Sequence, residues 1–144
     1  MKYSLFLKNL SKCPFCHIDK SLLLISYQTA FLTFALAPYS KHHLLIIPKR
    51  HIESLFDLNV EEHEEIEGLK RAGLLLLQKM GYKNITFLVR EGKKIGKSIP
   101  HLHYHLIPKT LIGDLNYKGK DRKVLSEKEQ KEIRQELLSN LNKD

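Results

Sequence analysis

The sequence predicts an α+β fold, in which short strands form a sheet and two amphipathic helices accompany them. Short apolar runs bounded by turn residues predict three strands, at residues 22–27, 31–36 and 44–47. A capped amphipathic segment at residues 59–81 predicts a long helix, and a second such segment predicts a helix near the C-terminus. These patterns agree with the α+β class but would not establish it alone.

The long helix is predicted from its start signal, its apolar spacing and its stop signal. Asn59 can accept hydrogen bonds from the free N–H groups of the first turn, and Glu62 three residues later completes an approximate capping box. Apolar residues then recur near helical spacing at Ile66, Leu69, Leu76 and Met80. Gly81 is a natural C-terminal stop.

The second half of the chain repeats both kinds of element. Strands are predicted at residues 85–89 and 101–107, on either side of a basic loop at residues 92–96. Ser126 and Glu129 form a second capping box, and one apolar stripe follows it, made of Ile133, Leu137, Leu138 and Leu141. We therefore expect a domain over residues 1–112 and a C-terminal extension over residues 113–144. Packing of its helix on the domain is favoured over a dimer interface or fraying.

The composition favours one domain with a basic surface. The chain has 144 residues, and its 24 Lys and Arg exceed its 16 Asp and Glu, which gives a formal charge of +8. This excess fits an anionic partner such as a nucleotide, a polyphosphate or nucleic acid, and it equally fits a solvated surface. The basic stretches are not closely interleaved with aromatic residues, so nucleic acid is allowed as a partner but not favoured.

Location and cysteine usage are linked expectations. No apolar run approaches the roughly 18 residues of a membrane span, and the apolar patch at residues 3–7 is too short for a signal peptide. We therefore expect a cytoplasmic protein with no membrane association. Cys13 and Cys16 are the only cysteines. In a cytosolic chain this C-x-x-C pair is either half of a metal site or a redox pair.

The most informative segment is the histidine-rich strand at residues 101–107. Side chains alternate across a strand, so His101, His103 and His105 share one face. Imidazole titrates near neutrality, and one ring can therefore attack phosphorus while a neighbour serves the leaving group. A zinc site that uses all three rings is the alternative. The preceding loop, residues 96–98, offers backbone N–H groups, an ammonium and a hydroxyl to an anion.

Three blocks of sequence together resemble the histidine triad (HIT) family. The segment HLHYHLI at residues 101–107 resembles the family signature His-φ-His-φ-His-φ-φ, where φ is apolar. The segment HLLIIPKRHI at residues 43–52 is similar to the family stretch His-φ-φ-φ-φ-Pro-Lys-x-His-φ. The Cys-Pro-Phe-Cys run at residues 13–16 resembles the N-terminal C-x-x-C of many bacterial members. The blocks occur in family order across roughly residues 10–110.

The resemblance implies a fold and a reaction. The family fold is α+β, a mainly antiparallel sheet of about five strands with a long helix packed on it, and members are commonly homodimers. His103 would be the nucleophile that attacks the α-phosphorus of a nucleotide and forms a nucleotidyl-histidine intermediate. His105 would contact the phosphate as the second catalytic histidine.

The resemblance also implies substrate contacts, with departures that affect them. His43 matches a histidine beside the substrate phosphates, and Gly96 and Ser98 match the loop that holds phosphate oxygens. Arg90 and Lys97 stand where many members have Asn and Gln. A further departure is Ala35, which replaces the Asp or Asn that holds the ribose. The two cations favour a more anionic substrate, and the missing ribose contact puts ordinary nucleotide recognition in question.

The C-x-x-C branch of the family further implies a structural zinc. Its ligands would be Cys13, Cys16, His51 and His101. A Cys₂His₂ set suits tetrahedral zinc, although the separation of these residues along the chain is far from that of a zinc finger. His17, His42 and His63 are expected to lie on the surface or, for His17, behind the metal ligands.

Three functions remain open from the sequence. The first is a nucleotide hydrolase or nucleotidyl transferase that acts on dinucleoside polyphosphates or nucleoside phosphoramidates. The second is a non-catalytic, zinc-stabilised nucleotide-binding module, which the departures at Ala35 and Lys97 motivate. The third, ranked last, is a basic protein that binds or processes nucleic-acid ends.

Overall fold

The protein folds around an open, five-stranded antiparallel sheet with the strand order β1-β2-β3-β5-β4. The computed structural model describes residues 1–110 and 122–143. The strands are β1 (Ile25–Ser26), β2 (Ala30–Phe34), β3 (Leu44–Pro48), β4 (Ile85–Val89) and β5 (Tyr104–Pro108). The helices are α1 (Tyr3–Lys8), α2 (Val60–Lys79) and α3 (Glu127–Leu141). The predicted α+β fold, with about five strands, a long helix and a C-terminal helix, is confirmed.

Most predicted elements occur close to their predicted positions, and two strands differ. The strand predicted at residues 22–27 shrinks to β1 because Lys20–Leu22 forms a 3-10 helix, which the side chain of Asp19 caps. The strand predicted at residues 101–107 begins only at Tyr104, so His101 and His103 lie in the extended segment before β5. Helix α1 was not predicted, because its six residues are too few for a periodic signal.

Helix α2 begins and ends as its sequence signals predict. Asn59 accepts a hydrogen bond from the Glu62 N–H at 2.8 Å, and the Glu62 carboxylate accepts one from the Asn59 N–H at 3.0 Å. Gly81 follows the helix with a φ of 93°, a conformation that costs glycine little. The buried apolar face of α2 contacts β2, β3 and β5. The helix therefore supports the strands next to the histidines.

Helix α3 contributes to the same hydrophobic core. Ile133 and Leu137 are buried in one cluster with Leu69 and Leu76 of α2. Ser126 and Glu129 form the predicted capping box at its start. The division of the chain after residue 112 stays a prediction, because residues 111–121 lie outside the described part. Within the described residues, no helix is both long enough and apolar enough to cross a membrane.

The N-terminus pairs with the segment that precedes α3. The Tyr3 N–H donates to the Arg122 carbonyl at 2.6 Å, and the Val124 N–H donates to the Met1 carbonyl at 2.6 Å. The Leu125 N–H in turn donates to the Leu36 carbonyl, at 2.8 Å, just beyond β2. The N-terminus and the segment before α3 are therefore joined next to the end of β2.

We predict opposite effects from adding a methyl group at two glycines of α2. A Cβ atom at Gly68 would lie 3.5 Å from the Tyr27 ring, an ordinary contact, whereas one at Gly73 would lie 2.5 Å from Cδ1 of buried Leu106. Gly68→Ala should raise the free energy of unfolding by about 0.5–1 kcal/mol through helix propensity. Gly73→Ala should lower it, since overpacking costs about 1–3 kcal/mol. Urea unfolding of the two variants measures both signs, and stabilisation by Gly73→Ala would contradict the packing described here.

Candidate active site and metal site

Residues from the three sequence motifs line one cavity of about 290 Å³. His43, Ser98, His103 and His105 line it together. Its apolar wall includes the side chains of Phe6, Phe15, Ile18, Leu22, Phe34 and Leu45. A cavity lined mainly by apolar side chains with a few polar groups suits a ligand that has an apolar part and an anionic part.

The His103 ring is held in one tautomer by its own backbone. Its Nδ1 lies 2.8 Å from the His101 carbonyl oxygen, which can only accept, so Nδ1 carries the proton. The lone pair is then on Nε2. Burial in the protein, the main cause, lowers the pKa of His103 to about 4, and the charges of Lys97 and Arg90 act in the same direction. His103 is therefore a neutral imidazole with a free lone pair at neutral pH.

A second chain of hydrogen bonds fixes the opposite tautomer in His105. The Tyr39 backbone N–H donates to Nδ1 of His43 at 3.2 Å, so a neutral His43 carries its proton on Nε2. That Nε2 lies 2.9 Å from Nδ1 of His105, which accepts. His105 therefore carries its own proton on Nε2.

Burial keeps this pair of rings neutral. It lowers the pKa of His43 to about 3, with further lowering from the charge of Arg122. It also holds the pKa of His105 far below its usual value, and the neighbouring His43 and His103 rings add to this effect. Both rings are therefore uncharged near pH 7, as the tautomer assignment requires.

The two rings nearest the cavity thus differ in chemical character. The ring centroids of His103 and His105 are 4.8 Å apart, with an interplanar angle of 63°. One ring offers a lone pair and the other offers an N–H. The ring of Phe15 packs edge-on against His103 at 5.1 Å between centroids, which restricts the orientation of that ring.

The predicted phosphate-binding loop is only partly at the cavity. Ser98 lines the cavity and forms a hydrogen bond with the Tyr3 hydroxyl at 2.7 Å. Lys97 points elsewhere, because its Nζ donates to the Glu53 carbonyl at 2.6 Å. Gly96 has a φ of 82°, a backbone conformation that glycine adopts without strain.

Two residues that depart from the family pattern lie on different sides of this site. Arg90 does not line the cavity; its Nε lies 3.8 Å from the position that a Cβ of Gly96 would take. Its charge nevertheless contributes to the lowered pKa of His103, after burial and nearer groups. Ala35 is buried and lines the cavity. That position therefore presents a methyl group to the cavity, where many family members have the Asp or Asn that holds the ribose.

The sequence analysis missed the arginine that brings a positive charge to the cavity. Arg122 lines it, with its guanidinium 4.4 Å from the ring centroid of Tyr3 and 4.1 Å from that of Tyr39. The only sequence signal was the basic composition of residues 118–123. Nothing in that composition indicates which of its cations reaches the cavity.

The four predicted metal ligands form one cluster. Their ligand atoms all lie within 4.8 Å of one another, so Cys13, Cys16, His51 and His101 could hold a metal ion. Cys16 Sγ is 3.1 Å from Nδ1 of His51 and 3.5 Å from Nδ1 of His101. A tetrahedral zinc would separate such atoms by about 3.4–3.8 Å, as its bond lengths require.

Hydrogen bonds behind the cluster support the same arrangement. Nε2 of His101 donates to the Pro48 carbonyl at 2.7 Å, and Nε2 of His51 lies 3.1 Å from the Glu53 carboxylate. Each contact leaves Nδ1 free to face the cluster, and such partners are usual behind metal-binding histidines. The donor set and the tautomers therefore fit a metal. They also leave His101 on the metal side, apart from His103.

His42 corrects one expectation. It was expected to be exposed, but it is 7% exposed. Its Nε2 donates to the Glu136 carboxylate at 2.7 Å, and its Nδ1 accepts from the Tyr82 hydroxyl. His42 therefore joins α3 to the start of β3, one residue before His43. His17 and His63 are exposed, as expected.

Comparison with known proteins places the chain in a family. The HIT domain family model matches residues 19–111, most of the chain, so the protein belongs to the HIT family. The chain is 28% identical to "Bis(5'-adenosyl)-triphosphatase" of Dictyostelium discoideum over 64% of this chain and 62% of that protein. It is 32% identical to "Adenosine 5'-monophosphoramidase HINT3" of Mus musculus over 67% of this chain and 63% of that protein. The match thus spans less than two thirds of either relative.

Solved structures share the fold. A hypothetical histidine triad nucleotide-binding protein from Sulfolobus tokodaii superposes with a TM-score of 0.73 at 23% identity, over 90% of this chain and 91% of that one. A Zn-bound histidine triad family protein from Mycobacterium smegmatis gives a TM-score of 0.66 at 19% identity, over 89% of this chain and 94% of that one. The predicted membership of the HIT family is confirmed.

We predict that His43 makes folding sensitive to acid. His105, His103, Arg90 and Arg122 are the titratable or charged groups that act on its buried ring. Its pKa is about 3 in the folded protein and about 6.5 in an unfolded chain. Between these values the unfolded state binds more protons, so the free energy of unfolding falls as the pH falls. One such group contributes up to about 1.4 kcal/mol per pH unit.

The measurement is urea unfolding at several pH values between 6.5 and 4. His43→Gln should show a shallower loss of stability than the wild-type protein, because one depressed group has been removed. His63→Gln, which removes an exposed histidine of α2, is the matched control and should leave the slope unchanged. Equal slopes in all three proteins would show that His43 is not protonated preferentially in the unfolded state.

Proposed function

We propose that the protein is a nucleotide hydrolase or nucleotidyl transferase that acts at an α-phosphate through a covalent nucleotidyl-histidine intermediate. One observation carries this proposal, namely that two adjacent neutral histidines have opposite tautomers. His103 presents a lone pair to the cavity side of the strand, and His105 presents an N–H. A nucleophile beside a hydrogen-bond donor is the arrangement that a displacement at phosphorus needs.

The proposed displacement takes place in two steps. In the first, Nε2 of His103 forms a bond to the α-phosphorus, and the bond from phosphorus to the leaving group breaks with its electron pair. Nε2–H of His105 stabilises the negative charge that develops on the phosphate oxygens or the leaving atom. The His101 carbonyl, which accepts a hydrogen bond from Nδ1–H of His103, stabilises the positive charge that the nucleotidylated ring acquires. In the second step, water or another acceptor forms the new bond to phosphorus, its proton leaves to solvent, and the electron pair returns to Nε2.

The names of the relatives support two classes of substrate. The Dictyostelium protein is called a bis(5'-adenosyl)-triphosphatase, and the mouse protein an adenosine 5'-monophosphoramidase. Dinucleoside polyphosphates and nucleoside phosphoramidates are therefore the proposed substrates. Both contain an α-phosphate bonded to a leaving group, and the apolar wall of the cavity is suited to a base.

The other predicted substrate contacts are proposals of different strength. His43 orients His105, and Ser98 lines the cavity beside them. Gly96, Lys97 and Arg90 are proposed to contact phosphate after movement of their loop, because Lys97 is bound to the Glu53 carbonyl in this structure. A homodimer remains a proposal that the family resemblance supports, and a cytoplasmic location remains a proposal from the sequence. We propose no membrane partner, and nucleic acid is not favoured.

We also propose that the metal of the Cys₂His₂ cluster is zinc with a structural role. Zinc prefers four thiolate and imidazole ligands in a closed tetrahedral site, and the cluster provides four. When bound, zinc would tie the turn that carries Cys13 and Cys16 to His51 and His101. That turn also carries Phe15, which packs against His103. The cluster would therefore stabilise one wall of the cavity without taking part in the reaction.

Substitution of the nucleophile tests the reaction. His103→Ala should lower kcat for the hydrolysis of a diadenosine polyphosphate and an adenosine phosphoramidate by more than about a thousandfold, since removal of a nucleophile leaves only binding effects. His105→Asn should lower kcat by about 10²–10³, the range for loss of a hydrogen-bond donor that stabilises developing negative charge. Products are resolved by chromatography, and mass spectrometry of acid-free quenched wild-type protein detects the added nucleotidyl group.

The matched control is His63→Ala, which removes an exposed histidine from the first turn of α2 and should retain wild-type turnover. If wild-type protein binds nucleotide without turnover, and His103→Ala binds it with the same affinity, the enzyme proposal is wrong. That result would instead favour the zinc-stabilised binding module.

Removal of the metal tests the structural role. We expect the purified protein to contain about one zinc per chain, and a chelator to lower Tm by about 5–10 °C, because a tightly bound ligand stabilises only the folded state. Cys16→Ser should lose most of the metal and show the same lower Tm with or without chelator. His17→Gln changes the next residue outside the cluster and should keep both metal and Tm. A Tm that no chelator changes in the metal-loaded protein would contradict the structural role.

A further inference from the structure

A single arginine is fixed between two aromatic rings at the edge of the cavity. The Arg122 guanidinium lies 4.4 Å from the Tyr3 ring centroid on one side and 4.1 Å from the Tyr39 ring centroid on the other. Its Nη1 donates to the Ala37 carbonyl at 2.6 Å. Two ring faces and one hydrogen bond determine both the position and the plane of the guanidinium.

The two tyrosines connect Arg122 to opposite parts of the proposed phosphate site. Tyr39 stacks on His43 with 5.6 Å between centroids, and His43 is hydrogen-bonded to His105. Tyr3 is hydrogen-bonded to Ser98 at 2.7 Å. Arg122 therefore lies at the same edge of the cavity as the histidines and Ser98. Its charge also contributes to the lowered pKa values of His43 and His105, after burial as the main cause.

The described residues engage only one of the donors of the guanidinium. An arginine side chain carries five N–H groups, and stacking uses the faces of the group but none of its donors. Only the bond from Nη1 to Ala37 is formed with the described residues. Within residues 1–110 and 122–143, no carboxylate forms an ion pair with Arg122. A fixed cation of this kind at a cavity edge is suited to bidentate recognition of phosphate.

The rest of the proposed site lacks a comparable charge. His43 and His105 are buried rings that are hydrogen-bonded to each other, with pKa values well below the usual value, and Ser98 carries an uncharged hydroxyl, so these groups offer hydrogen bonds but no cation. A single phosphate could bind to the histidines and Ser98 without any contact to Arg122, which is separated from His43 by the Tyr39 ring. A chain of several phosphates carries additional negative charges past the reacting phosphorus, and a cation there would neutralise them.

We propose that Arg122 is a specificity-determining residue that binds the phosphates beyond the one attacked by His103. The inference rests on the proposed function for the identity of the reacting phosphate. Arg122 would favour substrates with a chain of phosphates, such as dinucleoside polyphosphates, over phosphoramidates, which have a single phosphate. Tyr3 and Tyr39 are positioning residues, because they hold the guanidinium and need not contact the ligand.

The first experiment measures binding without turnover. In a His103→Asn background, isothermal titration compares the affinities for AMP, for ATP and for inorganic tripolyphosphate with those of the same protein carrying Arg122→Gln. The affinities for ATP and tripolyphosphate should fall at least about tenfold more than the affinity for AMP, the loss expected for a charge-assisted contact. Equal losses for AMP and ATP, or no loss for either, would overturn the assignment.

Two further variants separate recognition from folding. Arg71→Gln removes the same charge from an exposed position of α2 and should leave the ratio of ATP to AMP affinity unchanged. Arg122→Lys keeps the charge but loses the planar fork, so it should give an intermediate ratio. If Arg122→Gln fails to fold by circular dichroism, Arg122→Lys decides. A ratio of ATP to AMP affinity below that of the wild-type protein supports bidentate recognition by Arg122, and a wild-type ratio in folded Arg122→Lys would overturn it.

Turnover assays distinguish this inference from the proposed function. With intact His103, Arg122→Gln should lower kcat/KM for a diadenosine polyphosphate at least about tenfold more than for an adenosine phosphoramidate. If both substrates are hydrolysed and their ratio does not change, the role of Arg122 is wrong while the enzyme proposal stands. If neither is hydrolysed but tripolyphosphate binding is still lost in Arg122→Gln, the polyphosphate site stands and the enzyme proposal falls.

Discussion

The antiparallel pairing of β3 with β5 is the constraint on which the rest of the site depends. Leu44 pairs with Leu106, and Ile46 pairs with Tyr104. At one end of this ladder His43 comes within hydrogen-bond distance of His105, and at the other end the Pro48 carbonyl accepts from His101. A slip of one residue would turn the histidines to the other face of the sheet. The two sequence motifs therefore function only in this register.

The same pairing determines the chemistry of the rings through burial and hydrogen bonding. Buried imidazoles lose their protons more easily, and neutral rings have one donor and one acceptor each. The backbone decides which nitrogen has the proton: the His101 carbonyl does so for His103, and the Tyr39 N–H does so for His105 through His43. A nucleophile and a donor therefore arise from identical side chains two residues apart.

Segments far from the sheet complete the cavity. The turn that carries the C-x-x-C residues places Phe15 against His103, and the paired segments at the N-terminus and at residues 122–125 place Arg122 between two tyrosines. On the far side of the sheet, His42 joins Tyr82 and Glu136, so α3 contacts the residue next to His43. Each of these contacts links elements that are distant along the chain.

The elements whose signals are local could be predicted from the sequence. Capping boxes at Asn59 and Ser126 and the apolar face of α2 depend on neighbours within a few residues, and the structure contains them as predicted. The family motifs also predicted the Cys₂His₂ cluster, because a resemblance carries three-dimensional information that spacing alone lacks. Four features could be read only from the three-dimensional structure. They are the tautomers of His103 and His105, the burial of His42, the orientation of Lys97 and the position of Arg122. Those features depend on contacts between residues that are remote in sequence, and no local pattern encodes which of many similar side chains will meet.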